Sequence, residues 1–298
     1  MGGIAFVFSG QGDQYPGMGK ELYEQFDAAK KVFHLCDSIR PGTLEQCFRG
    51  TAEELKETKN TQPCLFAMEL AAAEVLKKKG ITPDAVAGFS LGEVAAATFA
   101  GLFGGETGFR LVCRRGDLMQ EEAKKFDTAM AAVVKLTGEQ VTELCSRYET
   151  LYPVNFNCPG QITVSGLAEH MAAFSADVKA AGGRVLPLKV KGAFHSPFME
   201  QAAQKFAKEL EKEEIMEGAI LLYSNVTAER YGKNPAELLS RQIASPVQWE
   251  TIIRNMIASG IDTFIEIGPG RTLTILIKKI DPSVTAKTVT EYLEELKC

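Results

Sequence analysis

Three times in this chain an apolar run of strand length ends in a glycine-bearing turn and gives way to a helical pattern. "IAFVF" (4–8) precedes "GKELYEQFDAAKKVFHLC" (19–36), "AVAGF" (85–89) precedes "LGEVAAATFAG" (91–101), and "FIEIG" (264–268) precedes "RTLTILIKKI" (271–280). Apolar on both faces and alternating with helices, such runs demand a mostly parallel sheet covered on both sides, an α/β fold. Open sheets of this kind place their sites at the carboxyl ends of the strands, where each of these runs meets its turn.

The middle of the chain departs from that pattern. Between residues 128 and 190 the order reads strand ("AMAAVV"), helix ("GEQVTELCSRYE"), strand ("YPVNFN"), a "CPGQ" turn, strand ("ITVSG"), helix ("AEHMAAFSADVKAAG") and strand ("RVLPLKV"). This is the βαββαβ order of a ferredoxin-like unit, with a Pro-Gly pair suited to a tight hairpin. The division expected is a body of residues 1–126 and 192–298 with an insert at 127–191, and a cleft between them. At 298 residues the chain falls between one large domain and two ordinary ones, which suits this arrangement.

Charge and cysteine usage narrow the function classes. The 33 basic and 38 acidic residues leave a net charge of −5, with no cationic excess to draw the chain to nucleic acid or to anionic membrane. Seven scattered cysteines show no C-x-x-C pair and no histidine spacing for zinc, so no metal site is expected and a reducing cytoplasm is. The opening decapeptide lacks the basic region of a signal peptide, and the most apolar later window, 85–103, is broken by Glu93 and glycines and reads as buried core.

Gly88-x-Ser90-x-Gly92 sits between an apolar run and a helix, the context of a nucleophile elbow. Its glycines permit a tight turn, and the helix dipole favours a developing negative charge on the hydroxyl. The same segment also reads as a capping box, because Ser90 and Glu93 form S-x-x-E. A nucleophilic serine needs a base, and the chain has three histidines. His34 and His170 fall within helical patterns among apolar neighbours. His195, in "KGAFHSPFM", lies in a loop at the junction of insert and body, from which it can reach across the cleft to Ser90. By itself it could equally be a loop histidine; paired with Ser90 it favours the nucleophile reading.

Other segments stay open on their residues alone. "SGQGDQYPGMG" (9–19) fails the dinucleotide pattern at Tyr15 and the phosphate-loop pattern at Met18; it is either an oxyanion-hole loop or a plain turn. Of Arg114 and Arg115, one should face solvent, and the other could face the cleft and hold a carboxylate. "PVNFNCPGQ" alternates Val154 and Phe156 with Asn155 and Asn157, giving a polar strand face, and "GPGRTL" (268–273) reads as a turn. Lys189 and Lys191 are either solvated strand-end charges or contacts for an acidic partner.

Seven segments taken together, "FVFSGQGDQYPGMG", "GFSLGEVAA", "RRGDLMQ", "VNFNCPGQITVSG", "GAFHSPFM", "QIASPVQW" and "FIEIGPGRTL", resemble malonyl-CoA:acyl carrier protein transacylases and the acyltransferase domains of polyketide synthases, in family order from residue 4 to about 280. The resemblance implies an α/β-hydrolase-like body with a ferredoxin-like insert. It implies transfer of malonyl from malonyl-CoA to an acyl carrier protein, for fatty acid or polyketide synthesis, with coenzyme A thioester as substrate and no cofactor. It makes Ser90 the nucleophile, His195 its base oriented by the Gln242 carbonyl, and the Gln11 and Leu91 amides the oxyanion hole. Arg115 would pair with the malonyl carboxylate, and Asn155 and Asn157 would line the cleft. Two positions bear on selectivity: Phe89 stands where the family usually has histidine, and Phe194 would crowd an α-methyl group. A hydrolase built on the same Ser90 and His195, and a noncatalytic carrier-docking module, are the rival readings; Arg115 speaks against the first and the intact Ser90, His195 and glycine turns against the second.

Overall fold

The computed structural model describes residues 2–190 and 192–296. Its strands are β1 (Gly3–Phe8), β2 (Ala85–Gly88), β3 (Thr128–Val134), β4 (Leu151–Cys158), β5 (Gln161–Leu167), β6 (Arg184–Pro187), β7 (Leu221–Tyr223), β8 (Ile261–Ile267) and β9 (Thr285–Thr288). They form two sheets. One has the order β7-β2-β1-β8-β9 with every pairing parallel; the other, β4-β5-β3-β6, is antiparallel and lies wholly within residues 127–191.

Alternation of side chains puts the parallel sheet between two cores. Phe6, Phe8, Val86, Ile265 and Ile267 pack into the larger core, while Ala5, Val7, Ala85, Ala87 and Phe264 pack into another on the opposite face. The central strands are therefore buried on both faces, as their unbroken apolar runs require. The two edge strands β7 and β9 are only three and four residues long and carry no pattern that the sequence reading could have picked out.

Several expected elements change length. The helix expected after β1 is split into Lys20–Gln25 and Asp27–Ile39. In the insert, the helix expected from residue 138 ends at Cys145, β6 ends at Pro187, and His170 closes a short 3-10 turn ahead of the helix Met171–Ala180 instead of sitting inside one long helix. The longest helix, Thr58–Lys78, has no counterpart in the sequence reading; most of its residues are buried, so it shows no amphipathic period to find.

The clean alternation expected in β4 is broken by two register shifts, between Pro153 and Asn155 and between Phe156 and Cys158. As a result Val154 packs into the main core, Phe156 packs against the insert's own core, and Asn155 and Asn157 are buried, not wet. The same strand is tied to the segment that precedes the helix Trp249–Ala258: Phe156 donates its N–H to the Val247 carbonyl at 2.9 Å and Val247 donates to the Val154 carbonyl at 2.8 Å. Six described cysteines are free thiols, and among the described residues no helix is long and apolar enough to cross a membrane.

Gly166 is where β5 leaves no room for a side chain, since an added Cβ would lie 1.8 Å from the Thr150 carbonyl oxygen. Gly166→Ala is expected to destabilise the insert sheet by about 1–3 kcal/mol, the usual cost of overpacking. Chemical denaturation together with proteolysis within residues 127–191 checks this; an unchanged midpoint would show that β4 and β5 can separate freely.

Candidate active site

Parallel strand order brings the carboxyl ends of β1, β2 and β7 side by side, and the loops that follow them build the site. Ser90 follows β2 with φ 56° and ψ −106°, a strained conformation for a residue with a Cβ. The flanking glycines make the turn possible: a Cβ on Gly88 would lie 1.9 Å from the Gly92 carbonyl carbon, and one on Gly92 would lie 2.4 Å from the carbonyl oxygens of both Phe8 and Ser9. The capping-box reading fails here. Ser90 precedes the helix Leu91–Ala100 but its side chain makes no cap bond, and Glu93 turns inward to accept from the Asn225 N–H at 2.9 Å and the Tyr231 hydroxyl at 2.7 Å.

Freed from capping, the Ser90 hydroxyl meets His195 Nε2 at 2.8 Å. The His195 Nδ1 lies 2.7 Å from the Gln242 carbonyl oxygen. A carbonyl can only accept, so Nδ1 carries the proton and Nε2 is left as the acceptor for the serine O–H. Burial, and secondarily the charge of Arg115, lower the His195 pKa from 6.5 to about 4, opposed by the hydrogen bonds to Gln242 and Ser245. The imidazole is thus neutral at neutral pH, the state a general base requires.

The helix Gly105–Ala123 separates the two adjacent arginines as its period dictates. Arg114 reaches outward to Glu209 at 3.3 Å, while Arg115 is fully buried. Arg115 Nη2 donates to Gln242 Oε1 at 2.7 Å and lies 3.2 Å from Ser90 Oγ. Its Nε and Nη1 have no hydrogen-bond partner among the described residues. Burial holds its pKa down at about 10, against the pull of Glu93, and it remains a cation at neutral pH. A buried guanidinium with unpaired donors beside a hydroxyl has the chemistry to receive an anion.

Gln242 contributes more than its carbonyl, since its side-chain Nε2 also donates to the Ser90 carbonyl at 2.9 Å. Gln11 lies in the loop after β1, its side chain 3.4 Å from Thr58 Oγ1, and lines a cleft of 590 Å³ with Thr58, Gln120, Leu188, Lys189 and Val190. This cleft runs between the parallel sheet's helices and the strand end of the insert. Lys189 is exposed there, and Lys191 falls outside the described residues. Leu91 opens the helix after Ser90 and is buried.

The remaining expected residues make contacts other than with Ser90. Asn157 donates to Thr163 Oγ1 at 3.2 Å, while Asn155 Oδ1 and Asn157 Oδ1 have no partner among the described residues. The Phe89 ring packs edge-on against Trp249 at 5.4 Å, and that of Phe194 is turned into the main core near Gly192 and Ala123. His34 contacts the Tyr23 hydroxyl and His170 the Thr150 hydroxyl, both away from Ser90. Asn225 escaped the sequence reading: nothing in "LLYSNVT" marks it, and only the pairing of β7 with β2 brings it to Ser90.

Residues 5–291 match the family described as acyl transferase domain. A malonyl CoA-acyl carrier protein transacylase of Bacillus subtilis (strain 168) is 42% identical over 289 residues, covering 94% of this chain and 91% of that protein. The chain belongs to this acyltransferase family. Solved relatives agree with the assignment. A malonyl CoA-acyl carrier protein transacylase from Clostridium perfringens Atcc 13124 superposes with a TM-score of 0.95 at 36% identity, over 99% of this chain and 97% of that one. A malonyl-transacylase solved in complex with a type II polyketide acyl carrier protein gives 0.94 at 33% identity, over 98% of this chain and 99% of that one.

The buried state of this acyltransferase's histidine has a direct signature. The His195 ring is expected to stay neutral until about pH 4, followed by ring-nitrogen NMR. The unfolded chain, titrating near 6.5, takes up that proton first, so stability from this group falls as pH drops from 6.5 toward 4. A His195 titration near 6.5 would mean that water reaches the ring freely.

Proposed function

We propose that this acyltransferase moves a malonyl group from malonyl-CoA to the phosphopantetheine thiol of an acyl carrier protein through a malonyl-Ser90 ester. The observation that carries the reading is the buried Arg115, with donors to spare, lying 3.2 Å from the same hydroxyl that His195 holds at 2.8 Å. A carboxylate on the guanidinium would hold the neighbouring thioester carbonyl against Ser90. The names of the relatives, and the carrier protein bound to one of them, agree with these substrates.

In the first half-reaction His195 Nε2 takes the Ser90 proton as Oγ attacks the thioester carbonyl. The oxyanion is received by the amides of Gln11 and Leu91, neither of which donates to another backbone or side-chain group among the described residues. The carbon–sulfur bond then breaks and coenzyme A leaves as the thiol with the proton from His195. In the second half-reaction the carrier thiol gives its proton to His195 and attacks the malonyl ester, and Ser90 leaves with that proton. General-base help of this kind is worth roughly 10²–10⁴-fold, and each oxyanion donor about 10²–10³-fold.

Strand order β4-β5-β3-β6 supports a ferredoxin-like insert at 127–191, and the parallel sheet with its elbow serine supports an α/β-hydrolase-like body made of 1–126 and 192–298. On this reading the unpartnered oxygens of the buried Asn155 and Asn157 would be available to a substrate in the cleft. Because the Phe194 ring packs in the main core, a bias against an α-methyl substituent, at about 1–3 kcal/mol a preference and not an exclusion, would require that ring to reach the acyl group. The free cysteines suit a reducing cytoplasm.

Brief incubation with malonyl-CoA should add one malonyl mass to Ser90, absent in Ser90→Ala and discharged by carrier protein. Release of free acid without carrier would instead favour a hydrolase, and no adduct would leave a noncatalytic docking module. Arg115→Ala should lower malonyl transfer and raise acetyl transfer, because a site built to pair a group rejects analogues lacking it by up to about 10⁴–10⁵-fold. If acetyl and malonyl rates fell together in steady-state assays, the carboxylate role of Arg115 would be wrong.

A further inference from the structure

The conformation of Ser90 has to be held by something, and glycines alone only permit it. Two backbone groups of the turn point toward the loop after β7, where one side chain meets both. Asn225 Oδ1 accepts the Ser90 N–H at 2.8 Å, and Asn225 Nδ2 donates to the Gly88 carbonyl at 2.6 Å. Because a backbone N–H can only donate and a carbonyl only accept, the orientation of the carboxamide is fixed. Asn225 is fully buried, and its own backbone is anchored at both ends: its N–H goes to Glu93 Oε1 at 2.9 Å and its carbonyl accepts from Gln248 at 3.0 Å. The Tyr231 hydroxyl holds the same Glu93 oxygen from the other side at 2.7 Å.

We propose that Asn225 is a positioning residue for the acyl-transfer reaction, clamping Gly88 and Ser90 so that the strained nucleophile turn is the populated one, with Glu93 and Tyr231 fixing the clamp. The inference rests on Ser90 being the nucleophile proposed above. Asn225 touches neither substrate nor reacting atoms; it acts through the backbone that carries Oγ. No other common side chain meets both partners from this position. Aspartate loses the donor to Gly88, and serine is too short to span the two groups. With the clamp gone, relaxation of the turn moves Oγ away from His195 while leaving Arg115 and the cleft as they were.

The test measures phosphonylation of Ser90 by a fluorophosphonate, which needs neither a carboxylate nor a carrier, beside KM for malonyl-CoA and thermal melting, in wild type, Asn225→Asp and Asn225→Ser. Labelling and malonylation in the variants should slow about tenfold or more, the scale on which an unsupported strained backbone depopulates, with KM kept within about twofold. Labelling at the wild-type rate in a folded variant overturns the proposal, and so does a slowing matched by a rise in KM. A wild-type chain that labels at Ser90 but takes no malonyl would sink the transfer reading and leave this comparison intact. If neither variant folds, exchange of the wild-type Ser90 amide decides: protection equal to that of β2 supports the clamp, and exchange at loop rates refutes it.

Discussion

The site depends on backbone crowding where β1 and β2 end together. Gly92 stands where any Cβ would strike the carbonyls of Phe8 and Ser9, and Gly88 where one would strike Gly92 itself. That contact fixes the start of the helix Leu91–Ala100 directly over the strand ends, which in turn forces Ser90 into its strained positive-φ conformation and lifts the hydroxyl out of capping geometry. The crowding is available because β1 and β2 are neighbours in register, with Phe8 opposite Gly88. Sheet topology, not the motif by itself, therefore turns the serine hydroxyl of a Gly-x-Ser-x-Gly string away from its helix and toward His195.

Gln242 then couples the parts that the turn presents. Its carbonyl fixes the His195 tautomer, its Oε1 takes one end of Arg115, and its Nε2 holds the Ser90 carbonyl. A single residue thus sets the distances among the His195 imidazole, the Arg115 cation and the Ser90 backbone. Flexibility in any of these would be costly, since reacting groups misplaced by an ångström lose much of their advantage. The surrounding burial supplies the rigidity: Arg115, Gln242 and Asn225 are inaccessible to solvent, and His195 is nearly so.

What the sequence disclosed follows from how local its signals were. The strands 4–8, 85–88 and 264–267 were legible because burial on both faces leaves an unbroken apolar run. The pairing of Ser90 with His195 was legible because only three histidines exist and two fall in helical patterns. Hidden were features that depend on contacts distant in the chain. Thr58–Lys78, buried nearly all round, has no period; the bulges of β4 break an alternation that looked regular; and Asn225 is ordinary until β7 pairs with β2. Glu93 misled for the same reason: S-x-x-E is a local pattern, and its partners, Asn225 and Tyr231, lie more than a hundred residues away.

Arg115 and His195 place opposite demands on one small volume. The buried cation contributes to holding the imidazole neutral, which makes Nε2 available as an acceptor but would resist the imidazolium formed if, as proposed, Ser90 gives up its proton to it. A carboxylate seated on Arg115, as the proposed substrate requires, would offset that positive charge at the moment the imidazolium develops. The same ion pair would then both align the acyl group and strengthen the base, whereas an acyl group lacking the carboxylate would leave Arg115 unpaired and His195 opposed. Selectivity for a charged acyl group and activation of the nucleophile would arise from one electrostatic arrangement, without a third acidic residue behind the histidine.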